Sequence, residues 1–425
     1  MPMSPNAQGR ALALLNRVAQ AHWPDRFKLR KTFEKLLYGG ARAGFRLAAQ
    51  RDRKVLRPAG ADELFDLSLS DEQRMLVEML DAFALDTLRP AAHDADAQGA
   101  VPAGLLNQAH ALGLAHYGVG EGLGGLAGER TVVTTALMAE ALAKGDLSLA
   151  AALLVPLSAA NCIRRWASPA QQAAWLPAFV GEQMAPRMSI AVSEPTPLFD
   201  PHSLATRARR KGTHYVLSGE KCLVLDGLQA SHVIVAAETG QGPALFLVDA
   251  GSRGLELRPE PAMGLRACGT ARVRLKAVKV PVDNRLAADF DYPAFLDFGH
   301  LAWCALAVGT AQAALDYVIG YCNERTAFGE PISHRQGVAF LVADIAIELD
   351  AMRLLVWRAC ARAERGQAFH REAYLARLLC AEKAMKIGTD AVQLLGGHGF
   401  TQEHPAERWY RDLRAVALMS GGLHL

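Results

Sequence analysis

The hydrophobic period of this chain changes twice along its length, and that change limits the possible folds more than any other feature. From Leu69 to about Met184, apolar residues recur at the i, i+3, i+4 spacing of a buried helix face, most clearly over Thr131 to Lys144 and Ser168 to Phe179. Ser70 precedes Asp71-Glu72-Gln73, which predicts a capped helix start there. Between Met188 and Val282 the period falls to two. The predicted strands are His214 to Leu217, Lys221 to Leu225, His232 to Ala237, Ala244 to Val248 and Ala271 to Val280, with Gly, Asp and Asn turns between them. After Asp291, helical spacing returns in three long runs, Phe295 to Arg325, Gln336 to Arg365 and Arg371 to Leu395, which suit an antiparallel bundle. The expected fold class is therefore α+β. An N-terminal helical domain covers residues 66–186, a middle β domain 187–290, and a C-terminal four-helix-type bundle 291–425.

Residues 1–65 stand apart as a basic helical extension. Up to Arg57 they carry thirteen Lys and Arg against Asp25, Glu34 and Asp52, a surplus of ten, and too few apolar residues to fold alone. Such an arm suits packing on its own protein or a partner, or peripheral contact with an anionic membrane surface. The longest apolar stretch, Leu301 to Leu315, is shorter than the roughly 18 residues a bilayer span needs. Seven cysteines, an odd number with no Cys-x-x-Cys pair, point to buried thiols in a reducing compartment and a cytoplasmic protein. No histidine or cysteine spacing suggests a metal site, and no nucleic-acid partner is expected.

Gly120-Glu121-Gly122-Leu123-Gly124-Gly125 satisfies the G-x-G-x-x-G pattern of dinucleotide-binding turns, but that turn needs a preceding strand, and this one lies in a helical third. Two later stretches are more informative. YCNERTAFGEPISHRQG, from Tyr321, places Arg325 at a helix end before a glycine turn, where its fork can meet phosphate oxygens bidentately. QLLGGHGFTQEHPAERWYRD, from Gln393 to Asp412, carries a Gly-Gly pair that lets a backbone come close to a ligand or another chain.

In this order and spacing, the two stretches resemble the acyl-CoA dehydrogenase family over about residues 66–422. Also in register are LSLSDEQRMLVEMLDAFA, the Glu121–Gly125 loop, AVSEP at 191–195, MGLRACGTARVRLKAVKVP at 263–281 and LDFGH at 296–300. The resemblance implies an FAD held between the β domain, the helical domain and a neighbouring subunit of a homodimer or homotetramer. It implies that Arg325 and Phe328, with Gln336 beside them, meet the FAD pyrophosphate and adenine portion. Gln393, Gly396 and Gly397 would contact the FAD held by the other subunit. Ser193 would face the flavin ring, and Asp297 would hold the pantetheine arm of an acyl-CoA thioester, with His300 close by.

The same resemblance exposes a gap at the reaction centre. Family chemistry removes an α-proton with a carboxylate while the β-hydride goes to the flavin. The usual base position is Ser420, and the alternative one is Gly299. His300 stands where an arginine usually neighbours the base, Leu223 and Leu225 replace ring-contacting residues, and Thr196 to Asp200 replace a glycine-rich loop. Asp226 and His300 are the candidate substitute bases. The expected activity is FAD-dependent α,β-dehydrogenation of an acyl-CoA in fatty-acid-type metabolism. The alternatives are a silent FAD-site subunit paired with an active homologue, or a flavin oxidase or monooxygenase on the same fold.

Overall fold

The computed structural model describes residues 68–128, 131–286 and 290–425; the basic extension of residues 1–65 lies outside them. The first helix, α1 (Asp71–Phe83), opens on Ser70, whose hydroxyl accepts the Gln73 amide while Gln73 Oε1 accepts the Ser70 amide, both at 3.1 Å. This reciprocal cap satisfies two orphan donors of the first turn. A π-type turn, Ala84–Leu88, carries the chain into α2 (Arg89–Gln98), which stops at Gly99; α3 (Ala103–Ala111) follows. Next come α4 (Thr131–Ala143), α5 (Leu147–Leu153), α6 (Val155–Trp166) and α7 (Pro169–Trp175). Every residue of α4 with described burial is buried except Val133, as its apolar, all-round composition requires.

The glycine motif at 120–125 forms a short helical turn between helices, with no strand before it. A side chain on Gly125 would meet the Val119 carbonyl at 2.0 Å, so this glycine serves close chain packing.

The middle domain is a seven-stranded sheet in the order β1-β4-β2-β3-β7-β6, with β5 paired to β4. The strands are β1 (Met188–Ala191), β2 (Arg207–Lys211), β3 (His214–Val224), β4 (His232–Glu238), β5 (Pro243–Asp249), β6 (Leu255–Pro259) and β7 (Ala271–Pro281). Periodicity missed β2 and β6. β2, RARRK, has one apolar residue among charges because most of its side chains face outward, and β6, LELRP, alternates over only four residues. Two predicted strands, either side of Gly219, are the single strand β3, which crosses two irregularities against β7. Leu223 sits in the second of these with φ 52°, a strained conformation for a leucine that re-aims the chain.

The last domain is built on α8 (Tyr292–Glu324), α9 (Gln336–Glu364) and α10 (His370–Leu395), followed by α11 (Ala406–Leu413) and α12 (Ala415–Leu418). A two-strand turn, β8 (Thr326–Ala327) and β9 (Glu330–Pro331), joins α8 to α9. By length and hydropathy α8 could cross a membrane, but 89% of its most apolar window is buried in the bundle, as expected of a central core helix. It crosses α4 backbone to backbone: a Cβ on Gly309 would lie 2.0 Å from the Glu140 carbonyl. All seven cysteines are buried and free.

The Tyr-Arg-Asp stretch of α11 ties the domains together. Arg411 holds Asp96 of α2 with two bonds of 2.8 and 3.0 Å, and donates to Glu407 and the Met263 carbonyl. Asp412 accepts the Leu265 amide at 2.7 Å, and burial, then Asp146, push its carboxyl up to about 8.

Candidate cofactor and acyl sites

Arg325 caps the end of α8, and Gly396 caps α10 with φ 61°, a conformation that favours glycine. Both open onto one recess of about 660 Å³, lined also by Gln393, Gly397, Tyr321 and His398. Nothing lies within 4 Å of where side chains on Gly396 or Gly397 would start, so the backbone itself is open to a ligand. A guanidinium beside exposed backbone is a fitting receptor for a pyrophosphate. Arg325, Gln393, Gly396 and Gly397, which the resemblance divides between two FAD molecules, all line this one recess. Phe328 projects into solvent from the β8–β9 turn at φ 54°, with the Arg335 guanidinium 5.6 Å from its ring centroid. Gln336 is exposed at the first position of α9 and is not part of the recess wall.

The base position lies far away on the same chain. Gly299 and Tyr321 are both on α8, and 22 residues at ~1.5 Å rise put about 33 Å between them. A dinucleotide cannot reach from the recess to that point, because its pyrophosphate and ring are separated by one ribityl chain. A dinucleotide with its pyrophosphate in the recess would therefore not bring its ring to the base position of the same chain.

Around the base position the chain is packed against itself. Ser193 Oγ donates to the Ser420 carbonyl at 3.2 Å. A Cβ on Gly421 would fall 2.4 Å from Val192 Cγ2, and one on Gly422 would touch Leu225, which is fully buried. A Cβ on Gly299 would meet the Leu423 carbonyl at 3.1 Å, a tight contact that a side chain at the alternative base position would have to push aside. Residues 419–425 are pinned from several sides. Arg377 donates to the Val416, Ala417 and Met419 carbonyls, Trp303 Nε1 to the Gly421 carbonyl at 2.8 Å, and Trp166 Nε1 to His424 Nε2 at 2.9 Å.

Neither substitute base is suited to the task. Asp226, in a left-handed turn after β3, is held bidentately by Arg187, with Arg187 Nε 2.6 Å from its carboxylate. It lines a separate cavity of about 240 Å³ with Leu106, Leu153 and Met184, whose walls include neither Ser193 nor Ser420. Burial, followed by Arg377, His202 and His370, brings His300 down to about 3. A neutral imidazole that binds a proton so weakly is a poor acceptor for an α-proton. Asp297, expected to hold a pantetheine arm, instead accepts from His370 Nδ1 at 2.7 Å, and burial pushes its carboxyl up against the pull of that histidine.

The His300 shift sets a pH dependence. Above pH 6.5 the imidazole is neutral in the folded and unfolded chain alike; below it, the unfolded chain takes up a proton that the fold refuses, until about pH 3. Stability should fall by about 2–3 kcal/mol from this group between pH 7.5 and 4.5. His424, also held neutral by burial, adds in the same direction. Urea unfolding at the two pH values should show His300→Asn flattening the slope; an unchanged slope would remove His300 as its source.

The match with known proteins covers these same segments. Residues 70–183 match the acyl-CoA dehydrogenase N-terminal domain, 189–278 the middle domain and 293–423 the C-terminal domain. The chain belongs to the acyl-CoA dehydrogenase family. It is 32% identical to the human mitochondrial short-chain specific acyl-CoA dehydrogenase over 389 residues, which cover 87% of this chain and 92% of that protein. The butyryl-CoA dehydrogenase of Megasphaera elsdenii superposes with a TM-score of 0.77 at 28% identity, covering 84% of this chain and 96% of that one. An FAD complex of PigA superposes at 0.76 with 27% identity, covering 84% and 96%.

Members of this family depend on FAD, and the general activity of the family is acyl-CoA dehydrogenation. Arg325 and the open backbone of Gly396 and Gly397 in the recess would suit the pyrophosphate of FAD. The ring-side positions Ser193 and Leu225 face residues 420–422 rather than open space. Sequence reasoning found the missing carboxylate but not that residues 420–422 pack on Ser193, Val192 and Leu225. Gly421-Gly422, beside two buried apolar residues, was the one available sign.

Proposed function

We propose that this chain is the FAD-anchoring, base-less subunit of an acyl-CoA dehydrogenase-type assembly. Its recess grips the pyrophosphate end of an FAD whose ring lies in a neighbouring, base-bearing homologue. One observation carries this reading: at both base positions, Ser420 and Gly299, the chain offers no carboxylate, and the residues around them pack on Ser193, Val192 and Leu225. FAD, when bound, would accept the hydride; the residues of this chain contribute charge and open backbone at its phosphates. Exposed Phe340, Ile347 and Leu354 recur every seven residues along α9, with Tyr374 and Leu378 on neighbouring α10. A stripe of that kind suits a subunit contact.

The test is anaerobic mixing of the FAD-loaded protein with straight and branched acyl-CoA esters. The flavin should keep its colour, and Ser420→Glu alone should restore little, because Leu223 and Leu225 still form the ring wall. Addition of a base-bearing homologue that co-assembles with the chain should bring bleaching. Rapid bleaching of the unmutated protein alone would overturn the proposal.

A further inference from the structure

Charge is divided unevenly over the outer face of the middle sheet. β2 sends Arg207, Arg209 and Lys211 outward, while Ala208 between them is buried. Register extends that face across two more strands: Arg209 is opposite Val216 of β3, and Val216 is opposite Lys279 of β7. In the same way Lys211 is opposite His214, and Arg207 is opposite Ser218. Cross-strand partners share a face, so four exposed cations lie on one outer surface, about 7 Å apart along β2 and about 10 Å from β2 to β7.

Among the described residues, none of these four side chains makes a hydrogen bond or an ion pair. Elsewhere on the same sheet the cations are neutralised: Arg258 holds Glu256 at 2.6 Å, Lys276 approaches Glu256 at 3.8 Å, and Arg272 holds Glu260 at 2.7 Å. Glu238, opposite Arg207 on β4, turns its Oε1 to the Gly240 and Gly242 amides at 2.9 and 3.3 Å. Asp283, in the turn after β7, is exposed and pairs with none of the four. The chain carries +3 overall and a surplus of ten in its first 57 residues, so the part that holds this face is net acidic. Four unpaired cations on a net acidic body are a local concentration of charge, not the background of a basic protein.

The side chains between the cations decide which anion fits. Val216 and His214 are half-buried and Ser218 is small, so no Phe, Tyr or Trp is exposed there to stack a nucleic-acid base. No large apolar side chain stands among them as an anchor for a protein partner. What remains is a two-dimensional array of charge, which suits a surface whose anions are spread in two dimensions and can move to meet it. We propose that this face of the middle domain docks on an anionic lipid surface through Arg207, Arg209, Lys211 and Lys279. The contact is electrostatic and peripheral. It needs neither a flavin nor a catalytic base, so it stands independently of the function proposed above.

The test is co-sedimentation of the full chain with phosphatidylcholine vesicles, with and without phosphatidylserine, at low and high salt. The parent should bind only the vesicles that contain phosphatidylserine, and less tightly as salt rises. Each Lys or Arg near such a surface contributes about fivefold to binding, so Arg209→Gln and Lys279→Gln should each weaken it by about that factor. Glutamine at all four positions should weaken it by on the order of 100-fold. A control that loses the same charge at Arg74, Arg253, Arg365 and Arg371, all exposed, should weaken it far less. Residues 1–65 stay in place throughout, so their own charge is common to every variant. All variants should melt close to the parent, as exposed substitutions do. A parent that ignores phosphatidylserine would overturn the proposal, and so would a fourfold glutamine variant that binds vesicles as the control does. Single-stranded RNA bound more tightly than the vesicles, and lost in the fourfold variant, would also overturn it and give the face to nucleic acid.

Discussion

Glu194→Leu should destabilise the folded chain by about 3–5 kcal/mol, the cost of leaving one member of a buried ion pair alone. Lys221 is fully buried, and its ammonium donates to Glu194 Oε1 at 2.8 Å and to the Val192 carbonyl at 2.9 Å. The same carboxylate accepts the Ala205 and Thr206 amides at 2.7 and 2.9 Å. Removing it strands a cation and two amides away from water. The double variant Glu194→Leu/Lys221→Met should recover a large part of the loss, since replacing both members of a buried pair by apolar groups is often near neutral. Urea unfolding of the parent, both single variants and the double variant gives the coupling directly. Additive single effects would show that the pair is not what holds the end of β1 to β3.

Arg325→Ala should lower FAD affinity by about 10- to 100-fold, from the loss of a charge-assisted phosphate contact. Arg325 is exposed and makes no side-chain ion pair, so the substitution should leave the melting temperature of the flavin-free protein nearly unchanged. Gly396→Val should act on both properties, because its φ of 61° disfavours a β-branched side chain. Fluorescence titration of FAD against each variant separates the effects. Full affinity in Arg325→Ala would mean that the recess does not hold the pyrophosphate. On the reading proposed for this chain, Ser193→Ala should change FAD affinity far less, because Ser193 lies by the base position about 33 Å from the recess along α8.

Much of the architecture was written locally. The Ser70 cap, α4, and the long helices α8, α9 and α10 follow from periodicity and turn residues, and their observed ends lie within a few residues of the expected ones. So do the strands whose apolar side chains alternate. β2 was invisible because an outward strand rich in charge carries little of that alternation, and β6 because its alternation runs for only four residues. The absence of a carboxylate at Ser420 and Gly299 was likewise legible, since a residue type is a property of one position.

Tertiary structure alone decided what those positions face. Periodicity places a residue on one face of its own helix or strand but says nothing about which distant segment covers that face. Only the packed chain brings Ser193 to Ser420 and Leu225 to Gly422, and ties Asp226 to Arg187 and Asp297 to His370. The length of α8 likewise keeps the recess and the base position apart, a separation fixed by a rigid helix. The residue types thus set the chemistry the chain can offer, and long-range packing set which of those groups meet, because desolvation and contact energies arise only once segments far apart in sequence share one interior.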